Sequence, residues 1–208
     1  MQAQRREKLT DLGARVFVGV LFVLLSYNII GNFAHTGRVT GLLLLVSEAL
    51  VVVLVIFRRR AHLVDRSAVA AVATLVSMAG PPLLRTVDDE SAALLPDMVT
   101  AGILAAGLLF GIAGKLTLGR SFGLVPANRG VVAGGPYQLV RHPIYTGYLI
   151  SHVAFLAAHP SMRNLVIILM ADSALVIRAL FEERVLLKDD AYREYCGRVN
   201  WHLVPGVF

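Results

Sequence analysis

The sequence predicts an all-α fold: a polytopic transmembrane helical bundle of six crossings, or five on the alternative count, ending in an amphipathic helix on the cytoplasmic surface. Three observations carry this prediction. The chain is 56% hydrophobic and only 16% charged, with a mean hydropathy of +0.67, a balance outside that of an ordinary soluble domain. Its apolar residues fall in long stretches parted by polar connections. Its Lys and Arg residues gather in every second connection.

The apolar stretches run, approximately, over residues 14–33, 41–57, 67–84, 98–116, 144–158 and 165–180. A hydrocarbon core of ~30 Å takes roughly 20 mostly apolar residues per helical crossing, so 208 residues hold five or six crossings and little else. The expected organisation is one compact domain, with transmembrane helices over residues 1–117 and a loop, a transmembrane hairpin and a tail over residues 118–208. The fifth stretch is short. A turn at residues 159–164 lets it cross together with the sixth if the bilayer thins or flanking side chains snorkel, the alternative being a re-entrant pair. Residues 1–8 are polar and the first stretch lacks a small-residue cleavage pattern, so that segment is expected to stay as an anchor.

Orientation follows from the basic residues. Arg5, Arg6, Lys8 and Arg15 precede or open the first stretch; Arg58, Arg59, Arg60 and Arg66 follow the second; Lys115, Arg120, Arg129 and Arg141 close or follow the fourth and are counted with its loop; Arg184, Lys188, Arg193 and Arg198 are in the tail. The other connections hold only Arg38, Arg85 and Arg163, with Asp88, Asp89 and Glu90 beside Arg85. The positive-inside rule then puts both termini in the cytoplasm. The net charge of +6 and pI near 9.9 do not imply a nucleic-acid partner, because these charges are dispersed between apolar segments rather than forming a continuous basic face. Membrane lipids are the expected surroundings. Cys196, the sole cysteine, excludes an internal disulfide and a Cys-cluster metal site, and no metal is expected.

Two regions break the apolar pattern. Gly119, Gly123, Pro126, Gly130, Gly134, Gly135 and Pro136 punctuate residues 119–141 and exclude a continuous helix there. Irregular loops of this length in compact domains are more often functional than idle. Beyond the sixth stretch, residues 182–199 return to helical spacing with Phe181, Val185, Tyr192, Cys196 and Val199 near one face, the predicted amphipathic helix. Tyr192 and Tyr195 are expected there as interface anchors.

Ionisable residues inside apolar stretches form a separate group: Glu48, His152 and Asp172, with Arg178 near the cytoplasmic end. Charge at membrane depth is costly, so these side chains should face the bundle interior. Tyr145, Tyr148 and His152 share one helical face. Either that face lines a route to a site, or His152 makes a structural interhelical hydrogen bond with a residue such as Asp172.

The densest chemical constellation is Gly135, Pro136, Tyr137, Gln138, Leu139, Val140, Arg141, His142, Pro143, Ile144, Tyr145, Thr146, Gly147 and Tyr148. Arg141, His142 and Pro143, then Tyr145 and Gly147, are followed after a helical hairpin by Glu182 and Glu183, Tyr192 and Tyr195, and a closing Val204 and Pro205. In this order and spacing the set resembles the isoprenylcysteine carboxyl methyltransferase family and its bacterial and archaeal relatives, from about residue 118 to the C-terminus. The resemblance implies a helical fold whose C-terminal half encloses S-adenosylmethionine near the cytoplasmic face, with acceptors arriving from the bilayer. It further implies cofactor contacts from Tyr137, Val140, Arg141, His142, Pro143, Tyr145, Gly147, Tyr148, Glu182 and Glu183, with Arg141, His142 and Glu183 at the chemistry.

The residue types suit that ligand. A guanidinium matches a planar carboxylate bidentately. An acid accepts from ribose hydroxyls or an ammonium. Aromatic rings wall an adenine or meet a sulfonium through cation–π attraction. Each residue also has a plainer reading: Arg141 and His142 facing lipid phosphates, Pro143 as a first-turn helix residue, Glu182 and Glu183 as the solvated start of the tail helix; against the last, two acids at an Arg-rich membrane edge are well placed to pair with Arg141 or Arg178. The expected function is methyl transfer to a small or lipidic membrane-partitioning nucleophile, a carboxylate, thiol, amine or hydroxyl. Two other classes stay open: an NADPH-dependent membrane reductase, because Tyr192, Tyr195, Cys196, Val199 and Pro205 are also similar to sterol and steroid reductases, and a non-enzymatic carrier or scaffold.

Overall fold

The computed structural model describes residues 39–59, 61, 63–65, 67–87 and 92–208, with scattered helical positions between 13 and 27. Most of the stretch 14–33 lies outside the described residues, as do Arg5, Arg6, Lys8, Arg15, Arg38, Arg60, Arg66, Asp88, Asp89 and Glu90.

The fold is mostly helical, as predicted: α1 (Val39–Phe57), α2 (Ala68–Ala79), α3 (Asp97–Leu118), α4 (Pro143–Ala158), α5 (Met162–Leu186) and α6 (Asp190–Arg198). A two-residue strand pair not foreseen from the sequence, β1 (Leu63–Val64) with β2 (Ala127–Asn128), runs antiparallel with Leu63 opposite Asn128 and Val64 opposite Ala127. Together with Arg59 N–H donating to Arg120 O at 2.7 Å, it fastens the connection after α1 to the long loop after α3.

Among the described residues two helices, Asp97–Ser121 and Met162–Leu186, are long and apolar enough to cross a bilayer. Shorter apolar helices cover Leu45–Phe57, Ala68–Leu83 and Pro143–Ala158. Both long helices turn large apolar side chains outward, including Met98, Leu109 and Leu116 on α3 and Val166, Leu169 and Met170 on α5. Such surfaces suit lipid rather than water.

Local sequence explains the element ends. Ser67 caps α2 by accepting from Ala70 N–H at 3.2 Å, and Gly80, Pro81 and Pro82 stop it short of residue 84. Gly119 ends α3 at φ +50°, a backbone state that only glycine adopts readily. Ser161 caps α5 through Asn164 N–H at 3.1 Å. The fully buried Asn164 side chain then donates to Arg85 O and His159 O, each at 2.8 Å, closing the end of the bundle opposite the long loop.

Helix α5 continues past residue 180 to Leu186, and Asp189 starts α6 by accepting from Ala191 N–H at 3.0 Å. Glu182 and Glu183 therefore finish the long helix instead of starting the tail helix, which rules out the solvated-start reading.

The tightest packing joins α3 to α4. A Cβ on Gly147 would stand 2.6 Å from Gly107 O and 2.7 Å from Gly111 N, so the two backbones touch directly, as small residues permit in membrane bundles. The core formed by Val51, Val55, Phe122, Ile144, Tyr145, Leu175 and Leu203 lies beneath the long loop and draws on α1, α4, α5 and the tail.

Lys115 corrects a sequence expectation. Counted there among loop cations, it is fully buried on α3, donating to Ser47 Oγ at 2.7 Å and facing Glu48 at 3.6 Å. It stands within α3, near its end, and its side chain is turned toward α1. His152 Nδ1 lies 2.6 Å from Asp172 Oδ1, the interhelical hydrogen bond weighed above against a route-lining role.

Candidate functional site

The site is built where the long loop enters α4. Pro143 takes the first helical position, where its missing N–H costs nothing and its fixed φ suits the helix. The N–H groups of Arg141 and His142, just before it, donate to Trp201 O and His202 O, each at 2.9 Å. Thr146 Oγ1, one turn on, donates to Leu203 O at 2.7 Å. The C-terminal tail is thus laid along the helix entry, which orients both side chains inward.

Arg141 uses all its nitrogens within the protein. Nε donates to Val199 O at 2.8 Å, Nη2 to Cys196 O at 3.3 Å and Nη1 to Glu183 Oε2 at 3.1 Å. Glu183, 6% exposed, also meets His142 Nε2 at 3.1 Å through Oε1 and His202 Nε2 at 3.2 Å through Oε2. A carboxylate only accepts, so the hydrogen of the His142 ring is assigned to Nε2, leaving Nδ1 turned toward Glu182 Oε2 at 3.9 Å. Glu182 in turn accepts from the Tyr145 hydroxyl at 2.7 Å. The Tyr145 ring stacks on His142 with centroids 5.4 Å apart, and the Arg178 guanidinium lies 5.2 Å from its centroid. The two acids, adjacent in sequence, divide the work: Glu183 neutralises the Arg141 side, and Glu182 faces the open side.

That open side is a small cavity of about 70 Å³ with an open mouth. It is lined by apolar Ile144 and Phe122, by the charged Arg129, Arg178 and Glu182, and by Tyr137, Tyr145, Tyr192 and Tyr195, among others. Two of the tyrosines are tied together, the Tyr195 hydroxyl donating to Tyr137 O at 2.6 Å. Burial first, and then the Glu182 charge, pushes the Tyr137 phenol well above its ordinary range, and burial likewise raises Tyr192 and Tyr195. All three therefore face the cavity as neutral phenols.

Of the residues singled out from sequence, Tyr137, Arg141, His142, Tyr145 and Glu182 line the cavity. Val140 and Pro143 are buried beside it, and Glu183 sits behind Arg141 and His142. Gly147 packs against α3, while Tyr148 lies 5.0 Å from Lys115 Nζ and stacks on His152.

Four lining residues were missed or read otherwise. Tyr192 and Tyr195 are 4% and 2% exposed, not interface anchors. Arg178 makes no ion pair with either acid among the described residues, and Arg129 is buried in place of being a loop charge. A signal existed for Arg178, one helical turn before Glu182 and so on the same face. None existed for Arg129, whose position depends on an irregular loop.

Residues 99–193 match the model of the phospholipid methyltransferase family. Comparison with curated proteins gives no match. The matched segment runs from α3 into α6 and contains every cavity-lining residue except Tyr195. It supports a membrane methyltransferase in general.

Proposed function

With residues 99–193 taken as a membrane methyltransferase region, we propose that the chain is an S-adenosylmethionine-dependent enzyme of the isoprenylcysteine carboxyl methyltransferase-like type. It methylates a small or lipidic membrane-partitioning nucleophile, crosses the bilayer several times and keeps both termini in the cytoplasm. The observation that carries this reading is a cavity whose wall chemistry matches the donor in kind: buried guanidiniums for a carboxylate, Glu182 for ribose hydroxyls or an ammonium, and tyrosine faces for the adenine and sulfonium. The fit is strengthened by buried nitrogens with no internal partner, Arg129 Nε and Arg178 Nε, both on cavity-lining residues.

When bound, S-adenosylmethionine supplies an electrophilic methyl group that passes to an attacking lone pair as the carbon–sulfur bond breaks. This chain's residues contribute position and electrostatics. Glu183 fixes Arg141 and His142; His142 and Arg178 hold the Tyr145 ring between them; Glu182 anchors the Tyr145 hydroxyl. Holding reactants in a near-attack arrangement supplies up to ~7–11 kcal/mol of the barrier in ideal cases, enough to make positioning the main task here.

The test is transfer itself. The protein purified in detergent, incubated with methyl-labelled S-adenosylmethionine and a membrane extract, is expected to label a lipid-soluble product that mass spectrometry identifies. No labelled product, together with stabilisation by NADPH but not by S-adenosylhomocysteine, transfers the assignment to a reductase.

A further inference from the structure

From sequence Arg141 is the expected carboxylate binder, but each of its three nitrogens already donates within the protein, to Val199 O, Cys196 O and Glu183. The cavity contains two other guanidiniums. Arg129 and Arg178, 8% and 7% exposed, both line it, each with a buried Nε that has no hydrogen-bond partner. Among the described residues neither makes an ion pair. Buried charge with no ion pair among the described residues is expensive, and its persistence at a cavity wall points to a ligand that completes it.

Gly123 brings the two together. Arg178 Nη2 donates to Gly123 O at 3.3 Å, and Arg129 lies so close over Gly123 that an added Cβ would stand 2.0 Å from Nη1. No side chain fits between them. Burial, and then the nearby Arg58, pushes the Arg129 guanidinium down to about 10, so it is still charged at neutral pH. Glu182 is the acid that faces this pair across the cavity. Two cations opposite one carboxylate suit a zwitterionic amino-acid end, the anion on the arginines and the ammonium toward the acid.

We infer that Arg129 and Arg178, gathered at Gly123, form a carboxylate-binding subsite in the cavity, and that the carboxylate is the one on the amino-acid end of the methyl donor. This rests on the methyl-donor reading above. The same chemistry would also take the carboxylate of an acid acceptor, and the probes separate the two sources.

The experiment titrates S-adenosylhomocysteine, 5′-methylthioadenosine and oleate into the detergent-purified wild type, Arg129→Gln and Arg178→Gln. 5′-Methylthioadenosine lacks the amino-acid end and reports on the fold and the nucleoside part of the cavity. In each variant, S-adenosylhomocysteine affinity is expected to fall at least tenfold while 5′-methylthioadenosine affinity stays within twofold. Loss of oleate binding with S-adenosylhomocysteine unaffected keeps the subsite but gives it to an acid acceptor. Wild-type affinity of both variants for all three probes overturns it, as does equal loss of both nucleosides. A wild type that binds neither nucleoside overturns the methyl-donor reading itself, and the subsite then stands only if oleate binding depends on the arginines.

Discussion

Adjacent acids with separate tasks make a sharp prediction when each is neutralised without changing its shape. Glu183→Gln removes the charge that faces Arg141 at 3.1 Å, His142 at 3.1 Å and His202 at 3.2 Å. Its side chain is only 8% exposed and that of Arg141 12%, so solvent compensates little. Truncating one partner of a buried ion pair costs about 3–5 kcal/mol. Glutamine still offers one acceptor to Arg141, which lowers the expected cost to roughly 2–3 kcal/mol. At roughly 2–4 °C per kcal/mol for a chain of this size, the melting temperature in detergent should drop by roughly 4–12 °C. Glu182→Gln keeps an acceptor for Tyr145 and disturbs no ion pair with Arg141, so its cost should stay below about 1 kcal/mol. Its effect should appear instead as an at least tenfold loss of S-adenosylhomocysteine affinity. Thermal unfolding and titration calorimetry on the two variants read both quantities. Equal destabilisation by the two substitutions, or a Glu183→Gln protein that melts with the wild type, would refute this division of labour.

Three further outcomes follow from the packing. Gly147→Ala drives a methyl group into the Gly107 carbonyl and the Gly111 amide, backbone atoms that cannot rotate away, and should abolish detergent-stable protein, whereas Gly111→Ala, with its nearest new contact at 3.7 Å, should purify normally. His152→Ala removes the bond to Asp172 but touches no cavity-lining residue, so it should lower stability by about 0.6–2 kcal/mol and leave methyl transfer intact; a large loss of turnover in folded protein would return His152 to the route-lining role. Lys115→Met strands Glu48 and should cost about 3–5 kcal/mol, most of it recovered in the Lys115→Met, Glu48→Leu double variant, as unfolding midpoints would show.

Periodicity and loop chemistry made much of this legible beforehand. Hydropathy located α1, α3 and α4 to within two residues, because long apolar runs depend on composition more than on tertiary context, but it ran five residues past the end of α2 and stopped six short of the end of α5. Tyr137, Arg141, His142, Tyr145 and Glu182, singled out from the ordered run and the acid pair, do come together at one cavity, since the start of one helix and the end of the next are adjacent in any hairpin. Which acid faces the cavity was not readable, because a difference of one residue on a helix is a rotation of about 100°, decided by how α5 packs. Nor was the spending of Arg141 on the tail carbonyls, which depends on residues 199–202 folding back across sixty positions of sequence. Arg129 was hidden for a related reason: it directly follows β2, and two-residue strands leave no pattern in the sequence. Lys115 misled because a buried, paired lysine and a loop lysine look alike when only neighbouring residues are counted.

Direct photolabelling tests the central claim with the least intermediary. The purified protein, irradiated with labelled S-adenosylmethionine and digested, should carry the label on peptides from the loop between α3 and α4 or from the α5–α6 junction, and unlabelled S-adenosylhomocysteine should suppress it. Label confined to α1 and α2, or label that NADPH displaces and S-adenosylhomocysteine does not, would contradict it.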